Sequence, residues 1–138
     1  MIYNLFTYGV LRPSNRTEVV NKMRPFIKET VYAKLYGYNL IVDKNGFLPS
    51  IVKSNNKNDY VVGELVICDT YENYEKILDI TDLLSKNFER YKVDVDVETN
   101  NGVIIAESYI ILDDSNYVKC GYADYYQYLK YEKNLLVG

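Results

Sequence analysis

The residues best placed for chemistry are the carboxylates of Ile77-Leu78-Asp79-Ile80-Thr81-Asp82-Leu83, a stretch whose apolar positions recur at helical spacing. Asp79 and Asp82 stand three residues apart, on neighbouring positions of one helix face, and Glu75 lies four residues before Asp79. If Asp82 leans into a closed cavity, desolvation and the like charge of Asp79 both disfavour its ionised form and raise its pKa, as a general acid/base requires. Without that burial it is a solvated carboxylate at a helix end. A second candidate is Leu5-Phe6-Thr7-Tyr8-Gly9-Val10-Leu11-Arg12-Pro13, an apolar strand that breaks at a glycine into a tight turn. Gly9 has no Cβ, so it can take φ > 0 and let a ligand approach the neighbouring amides, and Pro13 ends strand pairing. Amides exposed at a strand end and pointed the same way form a concavity for carboxylates or developing oxyanions. The same residues also read as an ordinary strand-to-turn corner.

Composition narrows the chemistry. The chain has no histidine, which excludes Ser-His-Asp and Cys-His nucleophilic pairs, His-ligated zinc and a histidine base. Proton transfer must use carboxylates, tyrosines, lysines or water. Cys68 and Cys120 cannot form a four-thiolate metal site, and no run resembles a calcium-binding or Walker loop, so neither metal nor cofactor is expected. Both cysteines are expected as reduced core residues. A net charge of -3 provides no basic field for a phosphate backbone, so nucleic acid is not expected as a partner. No apolar run approaches the roughly 20 residues that span a bilayer, and no signal sequence is readable. A cytoplasmic protein without a membrane partner is expected.

With 138 residues, 48% hydrophobic and 25% charged, the chain is expected to form one domain over residues 1–138. Tyr3 to Tyr8 reads as a strand and Asn15 to Met23 as a short helix. Val31, Ala33 and Leu35 share one parity, and Tyr38 to Val42 continues extended. Asp43-Lys44-Asn45-Gly46 then supplies a hairpin turn into Leu48 to Lys53. After a polar loop, Ser54 to Asp59, the run Tyr60 to Cys68 reads as a buried strand. Asp69 can cap the next helix with Glu72 three residues on. Tyr91, Val93, Val95 and Val97 alternate with charged residues, and Thr99-Asn100-Asn101-Gly102 turns that strand into Val103 to Leu112. Six or seven strands joined mostly as hairpins, two helices among them and a third closing the chain imply an α+β domain around a curled sheet. Sixteen tyrosines suit half-buried strand faces and helix surfaces. Tyr122, Tyr125, Tyr126, Tyr128 and Tyr131 spread over more than one face of the last helix, which leaves some exposed for a homodimer contact, a pocket rim or another protein partner.

Tyr8-Gly9-Val10-Leu11-Arg12-Pro13 with Asn15 resembles the YGxL turn of the γ-glutamylcyclotransferase-like, or AIG2-like, proteins. The likeness continues in order: Gly37 and Leu40, then Phe47-Leu48-Pro49-Ser50-Ile51, then Val62-Gly63-Glu64-Leu65 against V-x-G-E-L. Leu78-Asp79-Ile80-Thr81-Asp82 falls where the family has L-D-x-x-E, Phe88-Glu89-Arg90 where it has Y-x-R, and Ala106 with Tyr109 where it has A-x-x-Y. The resemblance runs from Tyr3 to about Tyr125. It implies a mixed, barrel-like sheet with flanking helices, a cavity at the mouth of the first turn, and conversion of γ-glutamyl amides to 5-oxoproline with release of an amine.

That reaction suits a histidine-free chain, because the substrate's own α-amine attacks its γ-carbonyl and no protein nucleophile is needed. The protein must bring amine and carbonyl within about 3–3.5 Å and move protons with one carboxylate. The resemblance assigns Asp82 as acid/base and Tyr8, Gly9, Val10, Leu11, Arg12 and Phe88 to substrate binding. The leaving amine would lie among loops such as Ser54 to Asp59 and Ser85 to Asn87. Two departures stand out. Asp82 replaces a glutamate and is one methylene shorter, and an offset on the order of 1 Å can cost roughly 10²-fold. Phe88 replaces a tyrosine and lacks its hydroxyl. Glu75 or Glu64 could substitute only if the fold aims them at the cavity. The alternative is a member that holds a small anionic or amide ligand without turning it over.

Overall fold

A computed structural model describes residues 3–86 and 90–135. Five strands form a closed barrel in the order β1 (Asn4–Thr7), β5 (Tyr60–Ile67), β2 (Glu29–Tyr36), β6 (Tyr91–Thr99) and β7 (Gly102–Ile110). A three-stranded sheet, β4 (Pro49–Lys53), β3 (Tyr38–Asp43) and β8 (Tyr117–Lys119), packs beside it. Three α-helices flank the sheets: α1 (Glu18–Met23), α2 (Tyr71–Lys86) and α3 (Tyr125–Glu132). The α+β, curled-sheet architecture is the expected one.

The alternation along β6 and β7 makes the barrel wall. Val95 and Val97 point inward opposite Ala106 and Ile104, while Asp94, Asp96 and Glu98 face water. β5 is the central strand, with antiparallel partners on both sides. Its Gly63 is required by close approach: a Cβ there would sit 2.1 Å from the Thr7 carbonyl oxygen and 2.7 Å from the Phe6 ring. The barrel closes through a parallel contact between Leu5 and Glu107. Tyr74 of α2 stabilises that seam, since its hydroxyl lies 3.1 Å from the Asn4 carbonyl and 2.8 Å from Glu107 Oε1.

Two apolar cores result. One fills the barrel around Phe6, Tyr8, Leu35, Leu65 and Val97 and extends to Tyr125, Tyr128 and Leu129 of α3. The other lies between the barrel and α2, around Leu5, Leu11, Met23, Tyr74, Ile77 and Tyr109. Both cysteines are free thiols, and burial raises each pKa, that of Cys68 to about 11.

Some local readings are corrected. The N-terminal cap of α2 is Thr70, whose Oγ1 accepts from the Asn73 N–H at 3.1 Å, while Asp69 accepts from the Asn73 side chain. The helix also runs to Lys86, so Ser85 belongs to it and not to a loop. β8 had no readable signal, being three residues whose pairing with β3 is settled by tertiary contact. On α3, Tyr125 and Tyr128 are buried, donating to the Phe47 and Gly46 carbonyls, and Tyr131 is exposed.

Gly63→Ala is expected to destabilise the fold by roughly 1–3 kcal/mol, as overpacking does. Urea unfolding checks this, and an unchanged midpoint would contradict the β1–β5 approach described.

Candidate active site

The strand-to-turn corner is buried from Tyr8 to Gly9 and again at Leu11 and Arg12, with Val10 exposed between them. A β-turn closes it, with the Arg12 N–H donating to the Gly9 carbonyl at 3.1 Å. Asn15 Nδ2 donates to the Gly9 and Val10 carbonyls at 3.0 and 2.9 Å. In a trans peptide the N–H points opposite the carbonyl. Holding those two carbonyls toward Asn15 therefore turns the Val10 and Leu11 N–H groups the other way. Among the described residues, nothing accepts from the N–H groups of Gly9, Val10 or Leu11. Gly9 does not take a positive φ, contrary to the sequence argument. Glycine is needed there because a Cβ would lie 2.5 Å from Cγ of Pro49.

The turn forms one side of a narrow hollow of about 310 Å³, its open mouth included. Phe6 to Leu11 line it together with Pro49, Ser85, Arg90 and Tyr109, and Pro49 lies directly against the turn at Gly9. The hollow thus opens at the seam between the two cores. The Arg90 guanidinium is tied to the Pro49 carbonyl. Tyr8 donates to the Tyr109 carbonyl at 2.9 Å; burial raises its pKa, against the Arg90 charge and the Ser50 hydroxyl. Ser85 Oγ is buried and, among the described residues, has no partner, a state that costs about 1–3 kcal/mol when nothing satisfies the group.

Arg12 lies beneath this turn and does not line the hollow. Its Nε meets Glu64 Oε2 at 2.5 Å, a terminal nitrogen meets Asp124 Oδ1 at 2.9 Å, and its guanidinium carbon lies 3.9 Å from the Tyr126 ring centroid. Burial opposes the cation, but the Glu64 bond and the Asp124 charge outweigh it and raise its pKa. Glu64 also accepts from the Ser14 N–H and hydroxyl at 3.0 and 2.6 Å, so it is not aimed at the hollow; Glu75 is exposed.

Asp82 does not line the hollow either. Its side chain is 48% exposed and pairs with Lys92 at 3.2 Å, so the enclosure on which the sequence argument depended is absent. It still contacts the site, because the Tyr109 hydroxyl donates to its Oδ1. Thr81 Oγ1 lies 2.7 Å from the same hydroxyl and completes a Thr81–Tyr109–Asp82 chain. Burial and then the Asp82 bond push the Tyr109 phenol far above its ordinary pKa, so it remains a proton donor. Phe88 lies outside the described residues, and Ser54 to Asp59 do not line the hollow. Sequence reading missed Ser85. Its signal was the helix stripe Tyr74, Ile77, Thr81, Ser85, all buried, which changes from apolar to hydroxyl-bearing as α2 reaches the hollow.

The gamma-glutamyl cyclotransferase, AIG2-like family model matches residues 5–128, and the chain belongs to this family. Among solved structures, the fold resembles YkqA from Bacillus subtilis at 22% identity and TM-score 0.69, over 98% of this chain but only 44% of that one. It resembles the Arabidopsis thaliana protein At5g39720.1 at 24% identity and TM-score 0.62, over 81% of this chain and 70% of that one. A yeast gamma glutamyl cyclotransferase specific to glutathione matches at 11% identity and TM-score 0.61, over 95% and 85% of the two chains. At these identities the likeness is one of fold. No curated protein sequence matches significantly.

Removing the cation under the turn leaves two carboxylates short of their partner. Arg12→Ala is expected to cost about 3–5 kcal/mol, as breaking a buried ion pair does, with Arg12→Lys recovering only part because it lacks the planar fork. Denaturant unfolding measures both; a loss below about 1 kcal/mol for Arg12→Ala would show that the cluster does not hold the turn.

Proposed function

We propose that the chain cyclises a γ-glutamyl amine, or a related small amide, to 5-oxoproline and releases the amine. The observation that carries this reading is a hollow whose turn offers acceptor-free N–H groups at Gly9, Val10 and Leu11 and which is lined also by a tyrosine bonded to a carboxylate. Family membership supports it. The α-amine nitrogen bonds to the γ-carbonyl carbon, the tetrahedral oxygen is held by turn amides, and the bond to the departing nitrogen then breaks. One proton leaves the attacking amine and one arrives on the departing nitrogen, so the acid/base ends as it began. Tyr8 and Leu11 shape the wall, and Val10 borders the mouth. Arg12 acts from beneath by fixing the turn. Phe88 is proposed with them as a substrate-binding residue on the family resemblance alone.

Asp82 is the proposed acid/base. Its exposed ion pair with Lys92 holds it by no more than about 1 kcal/mol, and the carboxylate exchanges its Tyr109 bond for the substrate when it turns toward the hollow. A second reading, a member that binds such a ligand without converting it, is favoured by one observation: among the described residues no carboxylate lines the hollow.

Assay of 5-oxoproline from γ-glutamyl amides separates the two. Asp82→Asn is expected to abolish turnover, at least the 10²-fold typical of losing a general acid/base. Asp82→Glu should preserve or raise it by restoring the missing methylene. If both variants match the parent, Asp82 is not the acid/base; if the parent forms no product yet binds 5-oxoproline, the second reading holds.

A further inference from the structure

Ser85 closes the buried stripe of α2, is 1% exposed and lines the hollow, and its Oγ has no partner among the described residues. Thr81, one turn earlier on the same stripe and equally buried, uses its hydroxyl on Tyr109 at 2.7 Å. The contrast sets Ser85 apart. A buried hydroxyl with nothing to bond is destabilising, and replacing it with an apolar group of similar size removes that penalty. The amides of Gly9, Val10 and Leu11, residues that line the same hollow, are also without acceptors among the described residues. Donors left open around one hollow are satisfied together by a molecule that carries oxygens at two positions.

We propose that Ser85 is a ligand-binding residue, its hydroxyl donating to one oxygen of the bound γ-glutamyl group or of its cyclised product while the turn amides hold another. In its choice of ligand class this rests on the reading given under Proposed function. 5-Oxoproline supplies suitable acceptors in its lactam carbonyl and its carboxylate. Among the described residues Ser85 has no side-chain base against it, so it is proposed to bind and not to attack.

The test compares thermal unfolding of the parent and Ser85→Ala, each free and with 5-oxoproline or L-glutamine, the latter a γ-amide. Free Ser85→Ala should melt at or above the parent, because it loses an unmet polar group. It should also lose most of the ligand-induced rise, corresponding to about tenfold weaker binding, the effect of roughly one hydrogen bond. A free variant that melts below the parent would assign the hydroxyl a structural role and overturn the proposal. So would an undiminished ligand-induced rise, or a parent that responds to neither compound. A parent that binds 5-oxoproline through Ser85 but forms none from γ-glutamyl amides keeps this inference and sinks the cyclisation reading.

Discussion

A buried guanidinium beneath the first turn is the interaction on which the site depends. Arg12 joins its own turn to Glu64 of β5 and to the start of α3, where Asp124 and the face of Tyr126 meet it, three segments far apart in sequence. Asp124 is also the α3 cap, accepting from the Tyr126 N–H at 2.8 Å, so one carboxylate both starts the helix and neutralises the cation. Tyr126 in turn donates to Asn15 Oδ1 at 2.9 Å, and the Asn15 amide holds the Gly9 and Val10 carbonyls. Through this chain a charge pair under the turn dictates which way its amides face. Separating the charges would leave buried carboxylates without their cation, which makes opening the arrangement costly.

The α2 end of the hollow is built on different physics. α2 lies against the barrel seam through Tyr74 and Ile77, and the same stripe continues into Thr81 and Ser85. Apolar contact therefore fixes the helix, and its rotation decides which later side chains meet the hollow. That rotation puts Thr81 and Ser85 inward and leaves Asp82 at the surface beside Lys92, connected to the interior through the Tyr109 hydroxyl. A glutamate at this position would carry its carboxylate one methylene further. The aspartate makes Tyr109 the link between charge and cavity.

Much of this architecture could be read from the residues, and its gaps have physical causes. The strand pattern of β6 and β7 was legible because one face is wet and the other buried. The place of the turn was legible from an apolar run broken by Gly9 and Pro13. The reason for Gly9 was not, because it depends on Pro49, whose ring reaches the corner only after the sheets pack. Arg12 read as a substrate contact because its partners lie 52 and 112 residues away. Whether Asp82 is enclosed could not be read, because helical spacing states which residues share a face while packing of Tyr74 and Ile77 selects the face that turns inward; Ser85 reads as a loop residue because the end of α2 carries no sequence signal.

We infer that the turn amides and the end of α2 line one ligand site. Titrating uniformly ¹⁵N-labelled protein with 5-oxoproline while following backbone amide resonances tests it most directly. The Gly9, Val10, Leu11 and Ser85 signals should move together, saturate at one concentration and shift more than those of β3, β4 and β8. Perturbations confined to the second sheet, or a Gly9–Leu11 segment that stays still while Ser85 responds, would contradict it.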